Sequence, residues 1–106
     1  EIINSFFFIL YIYKMKNMQK YLAEFAGTMF LLMVVLASKG DAVAVAAAVG
    51  VALMVVGKIS GGHLNPAITV MMAVGKKMNP NDVMPYIVAQ VLGGVVALEL
   101  HKRVKK

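Results

Sequence analysis

Three apolar stretches of this chain are each long enough to cross a lipid bilayer, and they limit what the chain can fold into. They cover residues 21–37, 42–58 and 83–100. A helix needs about 20 apolar residues to cross a hydrocarbon core of about 30 Å, and these stretches come close to that length. Lipid offers the backbone no hydrogen-bonding partners, so a spanning segment must satisfy its own, as a helix does. The sequence therefore predicts an all-α, multi-pass integral membrane protein.

Composition and charge agree with that prediction. Hydrophobic residues make up 60% of the chain and charged residues 15%, which is far from the balance of soluble proteins. The net charge of +6 could indicate a nucleic-acid partner, but nearly every Lys and Arg lies beside an apolar stretch. We interpret these residues as anchors at the headgroups, and expect membrane lipids and no nucleic acid as partners. The absence of Cys excludes disulfides and metal–thiolate sites.

A fourth apolar run, residues 66–75, is too short to cross. At the α-helical rise its ten residues cover about 15 Å, half of the hydrocarbon core. Asn65 is a strong helix N-cap and Pro66 suits the first helical position, so together they predict a helix start. Gly61 and Gly62 allow irregular backbone just before it. These features predict a half helix that begins at the membrane midplane.

Three motifs resemble those of one family. Residues 60–67, Ser-Gly-Gly-His-Leu-Asn-Pro-Ala, are similar to the first-repeat signature of aquaporins and glycerol facilitators, the major intrinsic protein family. Residues 23–28 resemble the family's first transmembrane helix, and residues 89–94 its third. The resemblance covers residues 18 to about 100. It implies half of an aquaporin-like bundle, with three transmembrane helices and one re-entrant half helix, whereas a complete member has six spans.

Two polar residues within the predicted spans are candidates for supporting the loop before the half helix. An ionisable residue inside a span is a functional candidate by default, because lipid cannot solvate it. The resemblance implies that Glu24 accepts hydrogen bonds from the loop backbone, and that Gln90 helps to order the loop. Alternatively, Glu24 lies near the headgroups and Gln90 only joins helices.

The resemblance also implies a passive channel for water, small neutral solutes such as glycerol, or both. Carbonyl groups before the half helix would accept hydrogen bonds from the solute, the Asn65 amide would donate one, and the positive helix end would repel cations. The predicted pore residues are Gly61, Gly62, His63, Asn65, Pro66 and Ala67. For His63, packing within the loop is favoured over a metal role, because ligand spacing is absent. We expect no enzymatic activity, cofactor or metal.

A half-size chain needs a partner to complete a pore. In the family topology one end of the bundle carries Lys14, Lys16, Lys20, Lys58, Lys76 and Lys77, and the other carries Lys39, Lys102, Arg103, Lys105 and Lys106. This near balance gives little orientation preference, which favours an antiparallel homodimer. Such a dimer would have Ile68 where the family's second repeat places an arginine. The alternative is a non-conducting helix module, or a truncated gene product that packs with a larger membrane protein.

The ends and turns of the predicted spans complete the sequence expectations. Residues 1–17 lie outside the resemblance, and we interpret them as translated upstream sequence or a fragment edge, or alternatively as an interfacial anchor that ends with Lys14 and Lys16. We therefore divide the chain into an extension, residues 1–17, and an aquaporin-like half, residues 18–106. A second Asn-Pro pair at Asn79 is expected to form a turn that leads into the third span.

Overall fold

The computed structural model describes residues 1–104, so Lys105 and Lys106 of the predicted charge pattern lie outside the described residues. The four α-helices are α1 (Ile2–Ala37), α2 (Ala42–Ser60), α3 (Pro66–Val74) and α4 (Val83–Val104), and a 3₁₀ turn (Pro80–Asp82) precedes α4. No strand occurs in the described part of the chain. Helices α1, α2 and α4 with its preceding turn are long and apolar enough to cross a membrane. The predicted all-α half-bundle is confirmed.

Local capping explains where α2 and α3 begin and end. The Asp41 carboxylate accepts a hydrogen bond from the Ala44 N–H at 2.9 Å and caps α2. The helix runs two residues past the span expected over 42–58, until Gly61 takes a left-handed conformation with φ of 89°. Helix α3 begins at Pro66, where we expected it, and ends one residue before the predicted end of that run.

Helix α1 is longer than one membrane crossing. Its 36 residues correspond to about 54 Å at the α-helical rise. No break separates the extension, residues 1–17, from the span predicted over 21–37. Every residue from 1 to 16 is exposed. The extension is therefore a continuation of the first spanning helix that projects beyond the bundle and makes no contribution to its core.

The bundle packs through small residues. A Cβ atom added to Gly93 on α4 would lie 2.7 Å from the Phe25 carbonyl oxygen on α1, so only glycine allows this approach. On another face of α1, a Cβ atom added to Gly27 would lie 2.7 Å from Leu64 Cδ2. Ala48 and Ala52, which lie one turn apart on α2, are both buried. The helices are thus close enough for polar side chains between them to meet.

The turn before α4 is tied to α1 at one end of the bundle. The Asn79 side chain accepts a hydrogen bond from the Asn81 N–H at 2.9 Å, so the second Asn-Pro pair forms the capped turn that we predicted. The buried Asp82 carboxylate accepts hydrogen bonds from Lys20 Nζ at 2.6 Å and the Tyr21 hydroxyl at 2.7 Å. This contact fixes the start of α4 beside the start of the first span.

Candidate functional site

A buried carboxylate lies at the centre of the site. Glu24, on α1, has no exposed surface. Its Oε1 accepts hydrogen bonds from the Leu64 N–H and from Gln90 Nε2, each at 2.8 Å. Its Oε2 accepts from the Ser60 hydroxyl at 2.7 Å and the His63 N–H at 3.0 Å. The alternative that Glu24 extends to the headgroups is wrong, because its side chain is enclosed by these four donors.

Gln90 joins three elements rather than two helices alone. From α4 its Nε2 donates to Glu24 on α1 and to Thr69 Oγ1 on the half helix at 2.9 Å. Thr69 is fully buried, and its hydroxyl also lies 2.8 Å from His63 Nδ1. Buried polar groups need such partners, because an unsatisfied one costs about 1 to 3 kcal/mol. The network therefore links α1, α3 and α4 through the loop that precedes α3.

The loop between α2 and α3 is also held from α4 by Tyr86. The Tyr86 hydroxyl donates to the Ser60 carbonyl oxygen at 2.7 Å. The centroids of the Tyr86 and His63 rings are 4.9 Å apart. His63 is 8% exposed, so its side chain packs within the loop. This is the packing position that we favoured over a metal role.

The loop between α2 and α3 has three residues in the left-handed region of backbone conformation. Gly61, Gly62 and Leu64 all have positive φ, at 89°, 65° and 56°. For Leu64 this conformation is unfavourable, and the hydrogen bond from its N–H to Glu24 offsets the cost.

The same hydrogen bonds orient two carbonyl groups. The peptide bonds of residues 1–104 are all trans, so a carbonyl points opposite to the N–H of the next residue. The His63 and Leu64 N–H groups point at Glu24, and the Gly62 and His63 carbonyls therefore point away from it. Neither oxygen accepts a hydrogen bond from another described residue. Both carbonyls thus keep a free acceptor among residues 1–104, on the side of the loop away from Glu24, although Gly62 and His63 themselves are buried.

Asn65 is exposed at the start of the half helix. Its Oδ1 accepts a hydrogen bond from the Ala67 N–H at 2.8 Å, which caps α3. Because the oxygen is used by the cap, the amide Nδ2 remains as a donor. Pro66 is half-buried, and Ala67 and Gly61 are exposed, while Gly62 is buried. The exposed donor coincides with the positive end of the helix dipole.

An open groove of about 580 Å³ runs past the start of the half helix. We call it the inner groove; its walls include Thr28, Leu31, Leu64, Asn65, Gln90 and Val95. Two wall residues carry buried atoms that have no hydrogen-bonding partner within residues 1–104, Thr28 Oγ1 and Gln90 Oε1. The groove is therefore apolar along most of its length and polar beside the helix end.

Sequence reasoning did not identify three residues of this network: Ser60, Thr69 and Tyr86. Ser60 is the first residue of the signature, but no role was predicted for it. Thr69 lies four residues after Asn65, and Tyr86 four before Gln90, so each shares a helix face with a predicted site residue. That i, i+4 spacing was the available signal. Among residues 1–104 no group of three His, Cys, Asp or Glu residues is placed to hold a metal ion.

These features define a class of protein. It is a multi-pass membrane bundle in which a half helix starts inside the fold, with a buried carboxylate behind its loop and a hydrogen-bond donor in front. Backbone of this irregular kind is tolerated at membrane depth only where it is buried or lines a water-filled cavity.

Comparison with known proteins agrees with that class. The family model described as "Major intrinsic protein" matches residues 11–106, so the chain belongs to the major intrinsic protein family and is an integral multi-pass membrane protein. The match starts before residue 18, where we expected it to start. No solved structure matches the chain.

Similar curated proteins are found in several bacteria. The chain is 43% identical over 88 residues to glycerol uptake facilitator protein-like 6 of Lactiplantibacillus plantarum, covering 76% of this chain and 41% of that protein. It is 40% identical over 101 residues to aquaporin Z of Bradyrhizobium diazoefficiens and to aquaporin Z of Rhodopseudomonas palustris, in each case covering 79% of this chain and 41% of the relative. The chain thus spans about two fifths of the length of these relatives.

Proposed function

We propose that this chain forms half of a passive transmembrane channel for water or small neutral solutes, completed by a second, inverted copy. The observation that carries the proposal is the Asn65 amide, exposed at the start of a half helix whose loop is held by buried Glu24. In a pore, this amide would donate to a passing oxygen atom while the Gly62 and His63 carbonyls accept from its hydrogens. Neutral hydrogen-bonding solutes fit this arrangement, whereas cations meet the positive helix end.

The inner groove supports a protein partner. Lipid tails cannot satisfy the exposed Asn65 side chain or a helix end, so this surface favours protein or water over lipid. Among residues 1–104, Thr28 Oγ1 and Gln90 Oε1 in the wall of this groove have no hydrogen-bonding partner. A polar segment seated in the groove would place hydrogen-bond donors beside them. The loop and half-helix start of an inverted second copy would bring such a donor, the Asn65 amide.

Charge distribution supports inversion. By the family topology, the sequence assigns six basic residues to the end of the bundle where α2 ends and α4 begins, and five to the other, of which Lys105 and Lys106 lie outside the described residues. Loop charge asymmetry orients membrane proteins, and here it is almost absent. Insertion in both orientations would supply the two copies that an antiparallel pair needs.

The discriminating experiment is the permeability of liposomes that contain the purified chain, with water and glycerol measured side by side. Asn65→Asp is the informative variant: Asp is an equally good N-cap, so α3 is kept, while the donor is replaced by an acceptor. We expect permeability to fall about tenfold, the effect of one hydrogen bond worth about 1.4 kcal/mol in the transition state.

Asn79→Asp is the matched control, because the Asn79 side chain also accepts a hydrogen bond from the N–H two residues later, but Asn79 lies outside the loop. It should leave permeability unchanged. If wild-type liposomes are no more permeable than protein-free ones, the chain is a non-conducting module. If Asn65→Asp conducts like the wild type, the amide is not part of the conduction path.

A further inference from the structure

A second groove lies on the outside of the bundle, between the extension of α1 and the end of α2. Its volume is about 460 Å³, and its wall includes Tyr13, Lys16, Lys20 and Lys58. We call it the lysine groove. Lys16 and Lys20 are four residues apart and share one face of α1, and Lys58 is in the last turn of α2. Three cationic side chains therefore face one open space.

Of the three lysines in this groove, only Lys20 has its charge compensated by another residue among residues 1–104. No carboxylate lines the groove among residues 1–104. Asp82 pairs with Lys20 at 2.6 Å, but neither Lys16 nor Lys58 forms an ion pair with any described residue. Like charges that share a groove repel one another, so an anion between them lowers their energy. The groove is thus suited to an anionic group.

The position of the groove in the membrane identifies the kind of anion. Lys20 immediately precedes the first span, and Lys58 closes the second, so both mark the same membrane boundary. Tyr13 adds an aromatic ring with a hydroxyl, a side chain that is enriched at that level. Basic pockets between transmembrane helices at the headgroup level bind anionic lipid headgroups.

We propose that the lysine groove binds the phosphate of an anionic phospholipid, held by Lys16 and Lys58 from two different helices. Lys20, which is already paired with Asp82, lies at the edge of the site. The site does not involve Asn65 or the inner groove. The test of this site is therefore independent of whether the chain conducts.

Native mass spectrometry of the full chain in neutral detergent tests the proposal, with phosphatidylglycerol and phosphatidylcholine as probes. The wild type should retain phosphatidylglycerol more tightly than phosphatidylcholine. The variant K16Q/K58Q should weaken phosphatidylglycerol binding by about fivefold per lysine, the equivalent of about 1 kcal/mol each. The variant K16R/K58R keeps both charges and should retain the lipid.

The matched control is K76Q/K77Q, which removes two lysines near the same end of the bundle but outside the groove. It should bind phosphatidylglycerol like the wild type. Three outcomes overturn the proposal: unchanged binding in K16Q/K58Q, an equal loss in K76Q/K77Q, or displacement of the lipid by inorganic phosphate at low concentration, which would indicate a site for free phosphate. Circular dichroism of each variant checks that the helices are kept.

Discussion

At the scale of single residues, the site depends on a carboxylate that only accepts hydrogen bonds. Each Glu24 oxygen receives two donors, and two of the four are loop N–H groups. The side chain thereby holds a backbone conformation that includes Leu64 at positive φ. No other residue type of this size presents two acceptor oxygens.

Glu24→Gln isolates this property, because the amide has the same shape but places an NH₂ group against two donors. We expect the free energy of unfolding in mixed detergent micelles to fall by about 2 to 4 kcal/mol, because buried donors lose their acceptor. Glu99→Gln is the control, since Glu99 is exposed and its contact with Lys102 is 3.9 Å long. Equal stability of Glu24→Gln and wild type would contradict the assigned role of the carboxylate.

At the scale of helices, the close contact of α1 and α4 brings Glu24 and Gln90 within hydrogen-bonding distance. Gly93 lies one turn from Gln90 on α4, and the space beside it is filled by Phe25 and Met29 backbone atoms. Backbone atoms cannot rotate away as a side chain can. Any side chain at this position must therefore push the two helices apart.

Gly93→Ala should destabilise the bundle by about 1 to 3 kcal/mol, because its Cβ would lie 2.7 Å from the Phe25 carbonyl oxygen. Gly50→Ala is the matched helical control, since nothing lies within 4 Å of the added Cβ. It should be neutral or stabilising by up to about 1 kcal/mol, through helix propensity. Unfolding in SDS titrations measures both. If Gly93→Ala is as stable as Gly50→Ala, the space between α1 and α4 can hold a methyl group, and the prediction is wrong.

At the scale of the whole molecule, the proposed assembly places two half-helix starts face to face. The chain has no Cys, so a single introduced thiol reports unambiguously on the geometry. Ala67 is exposed in the first turn of α3, and Val74 is exposed at its other end. In an inverted pair the two Ala67 positions meet near the midplane, whereas the two Val74 positions are separated by about 27 Å, twice the length of the half helix.

A short bismaleimide should therefore cross-link Ala67→Cys into dimers in native membranes, and leave Val74→Cys monomeric. Non-reducing denaturing gels separate the two products. Cross-linking of both variants to the same extent would indicate random collision, and cross-linking of Val74→Cys alone would indicate a parallel arrangement. Either result contradicts an antiparallel pair.

Local signals in the sequence were sufficient for the elements and for the centre of the loop. Apolar length predicted the three spans, and Asn65 with Pro66 predicted the start of the half helix, because capping and proline preferences act within a few residues. The position of Glu24 inside a span marked it as a candidate for a functional role, since lipid cannot solvate a carboxylate. That α1 continues without a break through the extension was not predictable in this way. The polar residues at the end of the extension resemble the end of a separate segment.

Tertiary structure alone decided which groups meet. The partners of Glu24 are 36 to 66 residues away along the chain, and no local pattern specifies such distances. Tyr86 on α4 reaches the Ser60 carbonyl at the end of α2, and Lys16 on α1 shares a groove with Lys58 on α2. The sequence by itself determined that the chain spans a membrane and that a short helix starts at Pro66, because those properties follow from hydrophobic length and capping. Helix packing determined the network, because hydrogen bonds require atoms to lie within about 3 Å of each other.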